Sequence, residues 1–197
     1  RRQRQMCIRD SNKPILYIPL AMPSERYPSC YEWIKDELKG VDVPNIDMVV
    51  SGADLFNKNL ENYSALFIGG GNTLELMKIL KQYNMISLLE EAYNDGKVIC
   101  GLSAGAIAIC KYGLSDARKY KEFKLTRVRG IGLVDLLVCP HYNLDGREEE
   151  LERIMKRTKD VQGVGLKNLQ ALKIIDGNIS IISDSVSYTH LRAHETG

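Results

Sequence analysis

The sequence predicts an α/β protein in which a mainly parallel β-sheet is covered by helices on both faces, in three layers. Short apolar segments rich in β-branched residues alternate with amphipathic segments along most of the chain, as in successive β-α-β units. Small-residue turns directly follow two of the apolar segments, at residues 69–71 and 101–105. Parallel strands need helical crossovers, so this alternation favours a doubly wound sheet.

The individual elements follow from the spacing of the apolar residues. Apolar runs predict strands at 15–20, 46–50, 64–68, 97–100, 133–139, 161–166, 171–175 and 179–182. Helical spacing predicts helices at 29–38, 74–81, 85–94, 104–110 and 148–157. The stretch 54–62 is predicted to be a polar connection, and 112–127 shows only a weak, charged pattern. Asp176-Gly177 or Gly177-Asn178 predicts the tight turn of a hairpin between the last two strands.

The composition is that of an ordinary globular protein and excludes several classes of function. A chain of 197 residues that is 44% hydrophobic is predicted to form one domain with its own core. A net charge of +2 favours neither nucleic acid nor another polyanion as partner. No apolar run reaches the length of a membrane span. Five scattered cysteines without a CxxC pair indicate reduced thiols and a cytoplasmic location.

Both ends of the chain lack any structural periodicity. Residues 1–11 and 185–197 resemble translated sequencing-adaptor sequence, so we expect them to be non-native and place a single domain at 12–184. Two of the three histidines, His190 and His194, lie in the second of these segments. Only His141 then remains as a candidate for histidine chemistry.

The sequence G-L-S-A-G at 101–105 matches the G-x-S-x-G pattern of a nucleophile elbow. It lies between a predicted strand and a predicted helix, where small neighbours let a strained turn present the serine. Ser103 is therefore the candidate nucleophile, and the backbone N–H of Ala104 is a candidate oxyanion donor. The alternative is a helix start whose small residues only pack tightly on the sheet.

The sequence G-G-G-N-T at 69–73 also separates a predicted strand from a predicted helix. One interpretation is a loop that binds the phosphates of a nucleotide, and another is a loop that stabilises an oxyanion. The sequence lacks the Lys-Ser/Thr ending of a P-loop and the G-x-G-x-x-G spacing, which weakens the nucleotide interpretation. A plain structural turn is the third interpretation.

His141 follows a further predicted strand, and a serine elbow needs a base within hydrogen-bond reach.

Three segments together resemble one enzyme family. LFIGGGNTLELMKIL, GKVICGLSAGAIAIC and LLVCPHYN occur in the order found in the dipeptidase E group of serine peptidases, over roughly residues 13–184. The resemblance implies a flavodoxin-like fold similar to the class I glutamine amidotransferase domain. It also implies a cytoplasmic peptidase without metal or cofactor, a monomer or homodimer that releases N-terminal aspartate from small peptides.

The resemblance also implies roles for individual residues. Ser103 would attack the peptide carbonyl, and His141 would accept its proton and pass it to the leaving amine. The oxyanion donors would be Gly70 or Gly71 together with Ala104. The implied substrate-binding residues are Asn72, Thr73 and Arg147, the arginine being suited to an aspartate carboxylate. For Arg147 a solvated position at a helix start is the alternative.

The chain departs from the family pattern in two places. Relatives carry Glu or Asp as the third triad member in a segment such as G-L-x-E, where this chain has Asn168. An amide can orient an imidazole but carries no charge to stabilise the imidazolium. Three alternatives follow: activity is reduced, Asp145 or Asp176 substitutes for the acid, or the chain acts on a different substrate. Relatives also begin with a strand and helix that this chain lacks before residue 15, which would leave a sheet edge exposed.

Three other functions fit parts of the pattern. A glutamine-hydrolysing amidotransferase would need a cysteine at the elbow, and Cys100 lies three residues before Ser103, in the strand. An α/β-hydrolase esterase would place its acid between the serine and the histidine. A non-catalytic binding domain on this fold is consistent with the missing acid.

Overall fold

The computed structural model describes residues 12–41 and 45–183 of the chain. The two ends that were predicted to be non-native, 1–11 and 185–197, lie outside the described residues, as does the predicted loss of a first strand. The domain boundary at 12–184 likewise stays a prediction.

Four strands form a sheet in which every neighbouring pair is parallel. They are β1 (Ile15–Ile18), β2 (Ile46–Met48), β3 (Ala65–Ile68) and β4 (Val98–Gly101), in the order β2-β1-β3-β4. Parallel sheets are covered on both faces, and all four residues of β1 are accordingly buried. The predicted α/β class with mainly parallel strands is confirmed.

The remaining strands form a second sheet and a separate hairpin, so the strands of the described ranges do not make one continuous sheet. The second sheet consists of β5 (Cys110–Ser115), β6 (Thr126–Arg129), β7 (Val134–Pro140) and β8 (Gln162–Leu166), in the order β6-β5-β7-β8. Only the β5–β6 pair is antiparallel in this sheet. The hairpin pairs β9 (Gln170–Ile175) with β10 (Asn178–Ser183).

The hairpin turn has the conformation that its sequence predicts. Ile175 pairs with Asn178, so Asp176 and Gly177 form a two-residue loop. Their φ angles are +51° and +77°, the left-handed values that a type I′ turn requires at both central positions. The first of the two predicted dipeptides is therefore the turn.

Helices connect the strands close to the predicted positions. They are α1 (Tyr27–Glu37), α2 (Gly52–Phe56), α3 (Thr73–Gln82), α4 (Met85–Asn94), α5 (Ala104–Ile109) and α6 (Arg147–Met155). The short helix α2 lies partly in the stretch predicted to be a connection. Its N-cap is Ser51, whose Oγ accepts a hydrogen bond from the N–H of Asp54 at 3.0 Å.

Strands β5 and β6 were also missing from the sequence prediction. In β6 the exposed Arg127 and Arg129 flank the buried Val128, so the strand has little apolar character of its own. Strand β5 starts at Cys110, directly after the last residue of α5, where helical spacing had assigned the cysteine to the helix. Tertiary pairing therefore decides the structure of this segment.

The alternation of side chains along the strands places helices on both faces of the sheets. In β1, Leu16 faces a central core, whereas Tyr17 contacts a separate cluster that includes Ile34 of α1. In β7, Val138 faces the same central core, whereas Cys139 packs in a cluster beneath α6. The central core is thus shared by the two sheets and by α3, α4 and α5.

We expect Gly105→Ala to lower the free energy of unfolding by about 1–3 kcal/mol, because the new Cβ would overlap the backbone carbonyl oxygen of Ile68. In an unconstrained helix the same substitution stabilises by roughly 0.5–1 kcal/mol, so the sign of the effect is diagnostic. Urea denaturation measures it. Ser87→Ala on the exposed face of α4 is the matched control, expected to be neutral or slightly stabilising. Stabilisation in both variants would contradict the close packing of α5 on β3.

Candidate active site

Ser103 occupies a strained turn between β4 and α5. Its φ of +49° and ψ of −104° lie outside the regions that residues with a side chain normally adopt. Such a turn directs the serine side chain away from both the strand and the helix, as a nucleophile elbow requires. The sequence motif and the backbone geometry therefore agree at this residue.

His141 and Asn168 continue a hydrogen-bonded chain from this serine. The Oγ of Ser103 lies 3.0 Å from Nε2 of His141, which follows β7. The Nδ1 of His141 lies 2.8 Å from Oδ1 of Asn168, which follows β8. An amide oxygen only accepts, so Nδ1 carries the proton and Nε2 is left free to accept one from the serine.

Unfavourable backbone conformations concentrate around this chain of three side chains. Among the described residues, the non-glycine positions with positive φ are Asn84, Ser103, His141, Leu169 and Asp176. Two of these belong to the chain and Leu169 directly follows its third member. Each such position costs about 1–3 kcal/mol and persists only where the surrounding structure enforces it. This clustering is typical of functional sites.

The loop that carries His141 is tied to the loop that carries Asn168. The backbone N–H of Asn168 donates to Oδ1 of Asn143 at 2.8 Å, and the N–H of Tyr142 donates to the carbonyl of Leu166 at 2.9 Å. Sequence reasoning did not assign a role to Asn143, although it ends the segment LLVCPHYN. Asp145 and Asp176, the candidate acids, form no hydrogen bond with His141.

The glycine loop approaches Ser103 closely. A Cβ on Gly70 would lie 3.4 Å from the Cβ of Ser103. The N–H groups of Gly69 and Asn72 donate to the carbonyls of Ile18 and Ala21. The intervening N–H groups of Gly70 and Gly71, like that of Ala104, have no acceptor among the described residues. These three N–H groups, the predicted oxyanion donors, are therefore not hydrogen-bonded to other backbone groups of the described residues.

Asn72 and Thr73, which were predicted to bind substrate, have structural partners. The Oδ1 of Asn72 caps α3 by accepting from the N–H groups of Leu74 at 3.0 Å and Glu75 at 3.3 Å. Thr73 is 2% exposed, and its hydroxyl accepts a hydrogen bond from Ser115 at 3.2 Å. Their role in substrate binding stays a prediction.

Arg147 is buried rather than solvated at the start of α6. It is 5% exposed. Its Nη2 donates to Oδ2 of Asp116 at 2.7 Å, and its Nη1 donates to the carbonyl of Pro140 at 3.2 Å. Its Nε is buried and has no acceptor among the described residues. Because Pro140 directly precedes His141, the arginine holds the strand end from which the histidine projects.

Three cysteines close to the candidate site in the sequence are poor candidates for the nucleophile. Burial raises the pKa of the Cys100 thiol above its ordinary value, and it raises that of Cys110 to about 12. The pKa of Cys139 is raised to about 11, again mainly by burial. A neutral thiol is a weak nucleophile, so these residues behave as small apolar core side chains. Within 12–41 and 45–183, no three His, Cys, Asp or Glu side chains cluster as metal ligands would.

Comparison with known proteins identifies the family. The sequence model described as "Peptidase family S51" matches residues 3–182. This chain belongs to peptidase family S51. It is 27% identical to a Peptidase E from Nostoc over 90% of this chain and 76% of that protein. It is 28% identical to an uncharacterized peptidase from Listeria innocua over 85% of this chain and 83% of the relative.

Solved structures agree with the S51 assignment at the level of the fold. A crystal structure of a candidate Peptidase E protein from Listeria monocytogenes matches with a TM-score of 0.67 and 23% identity, over 88% of this chain and 87% of the other. A peptidase from an acI-B1 actinobacterium matches with a TM-score of 0.60 and 16% identity, over 95% and 89% of the two chains. Membership of family S51 makes this chain a serine-type peptidase, and the solved structures support its α/β fold. None of the helices in the described ranges has the length and apolar character of a membrane span.

We expect Asp116→Ala to lower the free energy of unfolding by about 1–3 kcal/mol, because it leaves the buried guanidinium of Arg147 without its carboxylate partner. The exposure of Asp116 limits the effect to this range rather than the larger cost of breaking a fully buried pair. Chemical denaturation measures the difference. Asp36→Ala, which removes the exposed ion pair with Lys39, is the matched control and is expected to change stability much less than Asp116→Ala does. Equal losses in the two variants would contradict a structural role for the Asp116–Arg147 pair.

Proposed function

We propose that this S51 member hydrolyses short peptides by acyl transfer to Ser103, with His141 as general base and Asn168 as the residue that orients the histidine. The continuous hydrogen-bonded chain from Ser103 Oγ through His141 to Asn168, with links of 3.0 and 2.8 Å, carries this proposal. Both distances lie within the reach that proton transfer and orientation require.

The acylation step uses the tautomer that Asn168 favours. The Oγ of Ser103 attacks the scissile carbonyl while Nε2 of His141 takes the hydroxyl proton. The carbonyl oxygen becomes an oxyanion, stabilised by the N–H groups of Gly70 or Gly71 and Ala104. His141 then gives its proton to the leaving amine, the C–N bond breaks, and the acyl group stays on Ser103.

Deacylation repeats the same steps with water as the nucleophile. His141 removes a proton from water, and the resulting oxygen attacks the acyl carbonyl. The same backbone N–H groups stabilise the second oxyanion. When the C–O bond to Ser103 breaks, His141 returns the proton to Oγ. A carboxylic acid leaves and the free serine is restored.

Asn168 supports orientation of the imidazole without adding charge. Its Oδ1 accepts from Nδ1–H in every protonation state of the ring, so it holds the ring in place throughout the cycle. A carboxylate at the same position would in addition stabilise the imidazolium, since charge-assisted hydrogen bonds are about twice as strong as neutral ones. We therefore expect slower catalysis than a carboxylate would allow.

For the substrate we propose small peptides with N-terminal aspartate, as the resemblance to the dipeptidase E group implies. Arg147 was predicted to bind the aspartate carboxylate, yet its Nη2 already donates to Asp116. Recognition by Arg147 would require the substrate carboxylate to replace that of Asp116. Cytoplasmic location and a monomeric or homodimeric state stay predictions.

A non-catalytic or altered-specificity role is the second candidate, and the neutral Asn168 favours it. A fluorophosphonate probe distinguishes this candidate from an enzyme, because the probe labels only a serine activated by a base. Labelling of Ser103 without turnover of any Asp-X dipeptide would point to a different acyl substrate. Absence of labelling would point to a binding domain.

Ser103→Ala and His141→Ala are each expected to lower kcat/KM for Asp-X dipeptides by at least about 10³-fold, because each removes a member of the nucleophile–base pair. Release of free aspartate from Asp-Leu measures this loss, with Asn-Leu as the matched neutral substrate. Ser87→Ala serves as the control variant. Turnover that persists in Ser103→Ala would contradict the proposed mechanism.

Asn168→Ala is expected to lower kcat by about 10²-fold with a smaller change in KM, because a histidine that is free to rotate is misplaced for proton transfer. Asn168→Asp is expected to raise kcat above that of the alanine variant and above that of the original chain, since its carboxylate also stabilises the imidazolium. Steady-state kinetics on the same dipeptide measures both. If all three chains share one kcat, Asn168 does not orient the base.

A further inference from the structure

A basic groove lies between α3 and strand β6, outside the Ser103–His141–Asn168 site. It encloses a volume of about 680 Å³ and is lined by side chains of α3, by all four residues of β6 and by Arg118. Its cationic residues are Lys78, Lys81, Arg118, Arg127 and Arg129. The composition of the whole chain gave no sign of it, because the net charge is only +2.

The positive charge of the basic groove is largely uncompensated. Its ten lining residues include five cations and no carboxylate. Among the described residues, Lys81, Arg118 and Arg129 have no carboxylate within salt-bridge distance, and Lys78 has only the exposed Glu75 at 3.6 Å. Like charges so close together repel one another, and a bound anion would relieve that repulsion.

Arg127 is held in position without being neutralised. Its Nη1 donates to the hydroxyl of Thr158 at 2.9 Å, and its guanidinium carbon lies 4.8 Å from the centre of the Tyr112 ring. Neither partner is anionic. A positioned guanidinium loses little side-chain entropy on binding a carboxylate, so this residue is suited to recognition rather than to solubility.

The backbone of β6 offers a second element of recognition. Within the part of the chain that the structure describes, β6 pairs with β5 on one side and is the edge strand of its sheet. An edge strand presents unpaired N–H and C=O groups, to which an extended peptide can add as a further strand. The apolar side chains of Leu74, Met77 and Val128 also line the groove.

We propose that the basic groove binds an extended, acidic peptide segment beside β6. Arg127 and Arg129 lie two residues apart and are both exposed, so they match carboxylates on alternate residues of a strand. Edge-strand hydrogen bonds favour a peptide over a polyphosphate, which has no amide groups to pair. The inference goes beyond the proposed hydrolysis and does not depend on it.

Residues that line the basic groove are close in the sequence to residues of the candidate active site. Its lining includes Leu74, three residues after Gly71 of the glycine loop, and Arg118, three residues after Ser115. Ser115 is hydrogen-bonded to Thr73. The basic groove and the glycine loop are therefore connected through α3 and through this hydrogen bond.

Binding of a fluorescein-labelled Glu-rich peptide of about six to eight residues, long enough to cover β6, tests the inference by anisotropy. The binding protein is the full chain carrying Ser103→Ala, which removes cleavage as a complication. A matched Gln-rich peptide is expected to bind at least about tenfold more weakly. The affinity for the Glu-rich peptide is expected to fall as salt rises from about 50 to about 300 mM. A Glu-rich peptide N-methylated at alternate amides is expected to lose affinity, because it cannot pair with the strand.

Charge-reversal variants locate the binding site. Lys81→Glu with Arg129→Glu is expected to weaken binding at least about tenfold, and the milder Lys81→Gln with Arg129→Gln to weaken it less. The matched control is Lys35→Glu with Lys39→Glu, of which Lys35 lies in α1 and Lys39 just after it. It reverses the same number of charges and is expected to change affinity less than about twofold. Circular dichroism verifies that each variant is folded.

Three outcomes would overturn the inference. The first is equal affinity for the Glu-rich and Gln-rich peptides, and the second is an equal loss in the groove and control variants. The third is a single-stranded oligonucleotide that binds more tightly than the peptide and depends on the same groove residues, which would assign the groove to phosphates. Because binding is measured without turnover, failure here leaves the proposed hydrolysis untouched, and an inactive enzyme leaves the groove untouched.

Discussion

The hydrogen bond between Ser103 and His141 joins the ends of strands from two different sheets, and the candidate site depends on how closely those sheets are held. Helix α5 starts at the nucleophile on one side and leads directly into β5 on the other. It packs against β3 so tightly that only glycine fits at Gly105, above the carbonyl of Ile68. The small residues after Ser103 thus set the position of this serine and also the distance between the sheets.

The same packing sustains the strained backbone of the site. Positive φ angles at Ser103, His141 and Leu169 cost about 1–3 kcal/mol each. A central core that both sheets share offsets this cost, because local relaxation of one loop would disturb packing across the core. The resulting rigidity keeps Ser103, His141 and Asn168 in hydrogen-bond contact before any substrate is bound.

A polar connection that is buried except at Asp116 links the glycine loop to the loop that carries His141. Thr73 is bonded to Ser115, the neighbouring Asp116 is paired with Arg147, and Arg147 holds the carbonyl of Pro140. This connection gives Arg147 a structural function that its position near the histidine in the sequence did not reveal. It also means that any substrate carboxylate that Arg147 binds would act on the segment that carries His141. Recognition and catalysis would then share one set of hydrogen bonds.

The local sequence was sufficient to predict those features whose conformation is determined by residues nearby in the chain. The alternation of apolar runs predicted the α/β class, the G-x-S-x-G pattern predicted the elbow at Ser103, and Asp176-Gly177 predicted its turn, because each depends on backbone conformations within a few residues. The motifs also pointed to His141 and to Asn168 as neighbours of the serine. Those predictions rested on resemblance rather than on spacing alone.

Contacts between distant residues decided everything else. Four features depend on partners far away in the sequence. They are the division of the strands into two sheets, the formation of β5 and β6, the burial of Arg147, and the contact between Asn143 and Asn168. The basic groove likewise brings α3 together with β6. The sequence by itself determined which residues could do chemistry, since the side-chain type and the local turn are encoded there. Only the tertiary structure decided which of them meet, because hydrogen bonds and charge pairs act over a few ångströms whatever the separation along the chain.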